Sequence, residues 1–208
     1  MKLIHPSNII VSGPTGSGKT QLVSRLLITQ NIDPFPSHIV YLYSEWQEEY
    51  EKLLEALPQI TFQRGFPDKI IDIFNARDSN LLILDDQMSK AGDTKELGDL
   101  FTKGSHHRNL TVIYIVQNFF DKSKSMRTAS INSQYFFLFK SPRDKTMVQH
   151  LGAQMYPKNS KFLVEAFEDA TKIPYGYLLL DLRQDTPEDM RVRTTIFPEE
   201  QEVVYAPI

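Results

Sequence analysis

Short apolar runs alternate with polar, turn-rich and amphipathic segments along this chain of 208 residues. Several runs are apolar throughout rather than alternating, as in Leu81-Leu-Ile-Leu84 and Val112-Ile-Tyr-Ile-Val116. Strands of this kind are buried on both faces, which is typical of a parallel sheet covered by helices. The pattern predicts strands at residues 8–12, 38–43, 60–63, 81–85, 111–116, 134–139, 177–181 and 192–197.

Helical periodicity fills most of the intervals between these strands. It predicts helices near residues 19–30, 46–56, 67–77, 94–104, 122–131, 143–151 and 159–170. Strands that alternate with helices indicate βαβ units, and hence an α/β fold with a mostly parallel central sheet and helices on both faces. The last two strands can form an antiparallel C-terminal edge. Because no repeat or linker interrupts the pattern, we expect a single domain over residues 1–208.

Composition narrows the class of protein. The chain has no cysteine, which excludes disulfides and thiolate metal sites and favours an intracellular or intravirion setting. The sequence shows neither a signal-peptide pattern nor an apolar run long enough to span a bilayer, so no membrane partner is expected. The net charge is −3, so any contact with DNA has to use a local basic patch, or one repeated in an assembly.

A glycine-rich loop, Gly13-Pro-Thr-Gly-Ser-Gly-Lys19-Thr20, joins the strand at residues 8–12 to the first helix. This order of strand, loop and helix distinguishes a phosphate-binding loop from a glycine-rich turn that matches by chance. Backbone N–H groups of such a loop cradle phosphate oxygens, Lys19 contacts the β- and γ-phosphates, and the Thr20 hydroxyl binds Mg²⁺. We therefore expect ATP and Mg²⁺ as ligands. The candidate nucleotide-binding residues are Gly13, Pro14, Thr15, Gly16, Ser17, Gly18, Lys19, Thr20 and Gln21.

Two carboxylates end the buried strand at residues 81–85. Ligands of open α/β sheets bind at the carboxyl ends of the strands, so Asp85 is a candidate for holding Mg²⁺. Asp86 is a candidate for the base that polarises the attacking water. The alternative is that the pair ends a strand in a solvated turn, which is less favoured when a phosphate-binding loop precedes it in the same chain.

The next predicted strand ends in an amide. Gln117 follows Val116 directly and could hydrogen-bond both the γ-phosphate and the attacking water, which would make it a sensor of the nucleotide state. A polar cap at the end of a strand is the alternative interpretation.

Three arginines could neutralise charge that develops on the γ-phosphoryl group, often from a neighbouring subunit. They are Arg108, before the predicted sensor strand, Arg127, after it, and Arg143, after the strand at residues 134–139. For each of them a surface or DNA-facing role is an equal alternative.

Basic residues Lys122, Lys124 and Arg127 cluster after the predicted sensor strand. In a ring of identical subunits such a cluster would line a channel with positive charge for DNA phosphates. An ordinary solvated face is the alternative. By contrast, the helix near residues 46–56 is acidic, so we expect it on an outer or inter-subunit surface.

Taken together, these motifs resemble those of FtsK–HerA type viral DNA-packaging ATPases, and most of all the Polinton/Maverick–adintovirus group, which is related to the poxvirus-type packaging ATPase. The motifs that carry the resemblance are residues 13–20, 81–86, 105–109, 116–118 and 139–144. The resemblance implies a RecA-like P-loop NTPase fold and a homo-oligomeric ring of five or six subunits. It also implies double-stranded DNA and a capsid vertex protein as partners, in a host nucleus or virus factory.

The sequence therefore predicts an ATPase that couples hydrolysis to the translocation of double-stranded DNA and packages a viral or virus-like genome into a capsid. Two alternatives remain. One is a non-catalytic, nucleotide-gated assembly protein of the capsid vertex, because an aspartate stands where the base is more often a glutamate. The other is a P-loop nucleoside kinase.

Overall fold

A twisted nine-stranded sheet forms the centre of the computed structural model, which describes residues 1–85, 95–104, 108–118, 123–143 and 146–207. The strands are β1 (Leu3–Ile4), β2 (Asn8–Ser12), β3 (Ile32–Asp33), β4 (His38–Tyr43), β5 (Ile60–Arg64), β6 (Asn80–Leu84), β7 (Leu110–Val116), β8 (Tyr135–Phe139), β9 (Tyr177–Asp181), β10 (Val192–Thr194) and β11 (Val203–Tyr205). The helices are α1 (Lys19–Ile28), α2 (Glu48–Ala56), α3 (Lys95–Asp99, continued by a π-helical turn at Leu100–Gly104), α4 (Lys124–Ile131), α5 (Thr146–Met155) and α6 (Lys161–Ala170).

The order of strands across the large sheet is β11-β10-β9-β8-β2-β7-β6-β4-β5. Neighbours from β5 to β8 pair in parallel, whereas β8, β9, β10 and β11 pair antiparallel with one another. Strands β2, β6, β8 and β9 are buried at every position, as their continuous apolar sequences predict. The predicted α/β class with an antiparallel C-terminal edge is thus confirmed.

Helices cover both faces of the sheet because alternate strand residues point to opposite faces. In β2, Ile10 belongs to one core, and Ile9 and Val11 belong to the other. The core around Ile10 is filled from α3, α4, α5 and α6, and the core around Ile9 is filled from α1 and α2. Among the described residues, every helix is too short or too polar to cross a bilayer.

Tertiary contacts override several local predictions. The predicted helix at residues 67–77 is wrong, because only a 3₁₀ turn forms at Ile70–Ile73. The Asn80 side-chain amide donates to the carbonyls of Asn75 and Asp78, which holds this segment as a loop. The last predicted strand ends at Thr194 rather than at residue 197, because Thr195 has a φ of +51°, which is incompatible with an extended strand.

A buried histidine links the amino-terminal ends of the strands. The His5 ring lies within hydrogen-bond distance of the Thr111 hydroxyl through Nδ1, at 2.8 Å, and of the Ser79 hydroxyl through Nε2, at 2.9 Å. Burial lowers the pKa of His5 below its ordinary value of about 6.5. The folded protein therefore holds His5 neutral where the unfolded chain binds a proton.

Acid should consequently destabilise the fold through His5. As the pH falls below about 6.5, the unfolded state takes up the proton first, so the free energy of unfolding falls by up to about 1.4 kcal/mol per pH unit until the folded state is protonated as well. Urea unfolding between pH 7 and pH 5 measures this slope. His5→Gln, which cannot titrate, should show a shallower slope than the wild type, and parallel slopes would contradict the assignment.

Candidate functional site

The glycine-rich loop connects the end of β2 to the start of α1. Gly16 and Gly18 have φ values of +78° and +104°, which lie in the left-handed region that favours glycine. A β-carbon at Gly16 would meet no atom within 4 Å, so the loop is open to solvent at this position. Gly18 is the N-cap of α1, and no side chain caps its first turn. The first N–H groups of α1 are thus arranged to bind an anion.

Close packing holds the base of this loop in place. The Gly13 N–H donates to the carbonyl of Val116, at 3.2 Å, which fastens the loop to the end of β7. A β-carbon at Gly13 would lie 2.7 Å from the β-carbon of Phe139, so only glycine fits between β7 and β8. The Lys19 ammonium folds back over the loop and donates to the carbonyls of Gly13, at 2.7 Å, and Pro14, at 3.0 Å. Lys19 therefore lies across the mouth of the loop.

The sheet register brings Asp85 to the same edge as the loop. β7 lies between β2 and β6, with Val116 opposite Ser12 and Tyr114 opposite Leu84. Asp85 follows Leu84 directly, and its N–H donates to the carbonyl of Leu42. Since neighbouring strands are about 4.8 Å apart, β6 lies about 10 Å from β2 across the sheet. Asp86, the predicted base, lies outside the described residues.

Asp85 is buried, with 6% of its surface exposed, and two side chains hydrogen-bond it. The Tyr50 hydroxyl donates to Oδ2 at 2.7 Å, and the Gln47 amide donates to the same oxygen at 3.4 Å. Burial raises the pKa of Tyr50 above its ordinary value, and the charge of Asp85 raises it further. Tyr50 therefore stays protonated at neutral pH and remains a donor to Asp85.

The sequence pattern did not identify Tyr50 or Gln47 as site residues. Both come from the segment that was expected on an outer or inter-subunit surface, and Trp46 in that segment is indeed 45% exposed. The buried side of α2, however, carries Tyr50 and Leu53. Tyr50 packs against Trp46 and Phe62 in an aromatic cluster, completed by Tyr41 and Tyr43, which fixes its ring beside Asp85. The apolar spacing of Tyr50 and Leu53 within an acidic helix was the available signal for this buried face.

A cleft of about 510 Å³ lies beside the glycine-rich loop. Three segments that are distant in sequence line it, namely the start of the loop, the amides after β7 and the turn after β8. The structure thus brings two predicted site residues, Gln117 and Arg143, to the loop. The lining residues are Ser12, Gly13, Pro14, Thr15, Gln117, Asn118, Phe139, Ser141, Pro142, Arg143 and Met147.

The other two candidate arginines lie elsewhere. Arg108 precedes β7, at the edge of the sheet opposite the loop, where its guanidinium lies 3.6 Å from the Asp72 carboxylate. It therefore does not reach the glycine-rich loop of the same chain. Arg127 is exposed on α4, as is Lys124, while the same helix buries Met126. Lys122, the third residue of the predicted basic cluster, lies outside the described residues.

No protein-family model matches the chain, and no curated protein matches it in sequence. Several solved structures, however, resemble this chain in fold. The genome packaging NTPase B204 from Sulfolobus turreted icosahedral virus 2, in complex with sulfate, is 14% identical with a TM-score of 0.56, over 97% of each chain. Its complex with ATP-gammaS is 15% identical with a TM-score of 0.53, over 97% of this chain and 98% of that one. EssC (ATPases 2 and 3) from Geobacillus thermodenitrificans is 12% identical with a TM-score of 0.51, over 97% of this chain and 39% of that one.

These likenesses concern the fold, since the sequence identities are too low to carry function. The fold that they share with this chain is a mostly parallel central sheet with helices and antiparallel C-terminal strands. The chain has the RecA-like P-loop NTPase fold.

Proposed function

We propose that this protein is an ATPase that moves double-stranded DNA and packages a viral or virus-like genome into a capsid. The observation that carries the proposal is the meeting of the glycine-rich loop, Asp85 and Gln117 at the carboxyl edge of three adjacent strands. That B204 is a genome packaging NTPase of the same fold, aligned over nearly its whole length, supports the choice of function. The grouping with Polinton/Maverick elements and adintoviruses stays a prediction.

The residues of the site fit ATP and Mg²⁺. The open, left-handed glycines and the uncapped first turn of α1 provide N–H donors for phosphate oxygens. Thr20 and Asp85 provide oxygen ligands, which Mg²⁺ prefers. Among the described residues, no three histidine or acidic side chains form a metal site by themselves. Mg²⁺ is typically held by one or two protein ligands together with phosphates and water.

Each side chain then has a defined role. Lys19 exchanges its bonds to the loop carbonyls for bonds to the β- and γ-phosphates. Tyr50 and Gln47 hold Oδ2 of Asp85 and so fix the carboxylate that would hold the metal or its water. Gln117 positions the γ-phosphate and the attacking water, and Asp86 accepts the proton. Bound Mg²⁺ would supply positive charge against the β- and γ-phosphates.

The positions of the arginines favour a site shared between subunits. Arg143 lines the cleft beside the glycine-rich loop of its own chain, together with Gln117. Arg108 lies at the opposite edge and could serve only the site of a neighbour in a ring. Lys124 and Arg127, exposed together on α4, are the residues that we assign to DNA, with Lys122. If these basic residues were repeated around a ring of subunits, they would line its channel with positive charge even though each subunit is acidic overall.

Lys19→Ala should abolish the activity. Removing the ammonium takes away the charge that balances the phosphates, so we expect phosphate release to fall by at least about 100-fold. Release of phosphate from ATP with Mg²⁺ measures this, with and without double-stranded DNA. A wild type that binds ATP but never releases phosphate would favour the non-catalytic assembly protein. Formation of a phosphorylated nucleoside would favour the kinase.

Tyr50→Phe should weaken the apparent affinity for Mg²⁺ while the protein still folds. Loss of the hydroxyl leaves the buried Asp85 carboxylate poorly oriented, so the Mg²⁺ concentration for half-maximal activity should rise about 10-fold. Tyr156→Phe is the control, because it removes a buried tyrosine hydroxyl that lies outside this aromatic cluster, beside Phe162, and has no hydrogen-bond partner among the described residues. Equal Mg²⁺ dependence in the two variants would contradict the role of Tyr50.

Lys124→Glu should affect the stimulation of ATP hydrolysis by DNA but not the basal hydrolysis. Lys124 is exposed and is not among the described residues that line the cleft, so basal hydrolysis should stay at the wild-type rate while stimulation by double-stranded DNA is largely lost. Lys158→Glu is the control, since it makes the same charge change at an exposed lysine between α5 and α6. If Lys124→Glu keeps full stimulation by DNA, or if both variants lose stimulation equally, the assignment of α4 to DNA binding is contradicted.

A further inference from the structure

A tight turn before β9 carries an aromatic residue in an unusual backbone conformation. The turn runs from Ile173 to Gly176 and is closed by the Gly176 N–H, which donates to the Ile173 carbonyl at 3.1 Å. Pro174 occupies the second position, and Tyr175 occupies the third with a φ of +62°. This arrangement fits a type II turn, whose third position requires a positive φ and usually holds glycine or asparagine.

A bulky side chain in the left-handed region is strained, because its β-carbon crowds the backbone. The surroundings hold the turn in place despite this cost. A β-carbon at Gly176 would lie 2.4 Å from the carbonyl oxygen of Ala170 and 3.0 Å from that of Ile173, so the chain can pass here only as glycine. Strain of this kind is concentrated at functional sites, where the side chain is needed in that position.

Tyr175 contacts the glycine-rich loop. A β-carbon at Gly18 would lie 3.0 Å from Cδ1 of the Tyr175 ring and 3.3 Å from its β-carbon. Gly18 is the residue immediately before Lys19, at the start of α1. Yet 62% of the Tyr175 surface is exposed. The residue thus packs against the loop on one side and leaves most of its surface open to solvent beside it.

The sheet places Tyr175 and the hydrolytic side chains on opposite sides of the loop. Asp85 and Gln117 follow β6 and β7, on one side of β2. Tyr175 precedes β9, on the other side, and the pairing of Tyr177 with Phe139 brings it to the same edge of the sheet. A triphosphate whose γ end points toward Gln117 therefore directs its nucleoside end toward Tyr175.

We propose that the Tyr175 ring is the stacking surface for the nucleobase of the bound nucleoside triphosphate. Offset stacking of an aromatic side chain on a nucleobase is favourable in free energy. A purine offers a larger stacking surface than a pyrimidine. The inference rests on the proposed nucleotide site and adds the part that binds the base. It also explains why a tyrosine occupies a turn position that glycine or asparagine would fill without strain.

The test compares two ligands that share phosphates but differ in the base, namely ATP and inorganic tripolyphosphate, each with Mg²⁺. Tyr175→Asn removes the ring but tolerates the left-handed backbone, and Tyr175→Phe keeps the ring. By equilibrium titration we expect Tyr175→Asn to bind ATP about 10-fold more weakly while its affinity for tripolyphosphate is unchanged. Tyr175→Phe should bind both ligands as the wild type does. We also expect the wild type to bind ATP more tightly than CTP, because the purine ring is larger, and this difference to shrink in Tyr175→Asn.

Other outcomes have distinct meanings. If the affinities of Tyr175→Asn for ATP and for tripolyphosphate fall equally, the tyrosine supports the loop and does not bind the base. If its affinity for ATP is unchanged while its self-association at high concentration is lost, the ring belongs to a subunit interface. Either result overturns the inference and leaves the proposed function intact. A folded wild type that binds neither ligand overturns both, and thermal unfolding of each variant confirms that it is folded.

Discussion

The parallel pairing of β2, β7 and β6 is the constraint on which the rest of the structure depends. Parallel strands in register end at the same edge, so the segments that follow them must meet there whatever their separation in sequence. The glycine-rich loop, Gln117 and Asp85 are all such segments. Apolar packing on both faces of the sheet keeps the register, because a slip of one residue would turn buried side chains toward the opposite core.

The buried carboxylate of Asp85 imposes a second requirement. A charge that is removed from water needs hydrogen-bond donors, and the segment from Gln47 to Tyr50 provides two of them. This connects the aromatic cluster under α2 to the predicted metal site. Because Trp46 lies in the same cluster and is partly exposed, the cluster also joins the site to the molecular surface.

Local sequence was most informative where one segment contains the whole signal. The loop at residues 13–20 has its glycines, lysine and threonine within eight positions, and continuous apolar runs mark β2, β6 and β7. It was least informative for short elements. β1, β3 and β11 have only two or three residues each, too few to show a period, and they exist because a neighbouring strand supplies the hydrogen bonds. The helix predicted at 67–77 failed because side-chain bonds from Asn80 compete with helical ones.

The sequence by itself determined the class of fold, the glycine-rich loop and the strand that directly precedes Asp85, since spacing and hydrophobicity along the chain are enough to specify each of them. Only the tertiary structure decided what lies beside these features. Tyr50 is 35 positions from Asp85 in sequence, and Tyr175 is farther still from Gly18, yet each pair is in contact. Arg108 and Arg143 were equally good candidates in the sequence. The structure places Arg108 at the edge of the sheet opposite the glycine-rich loop and Arg143 in the cleft beside that loop. The physical reason is that hydrogen bonding, stacking and charge neutralisation depend on distance in space, which the packing of strands and helices sets.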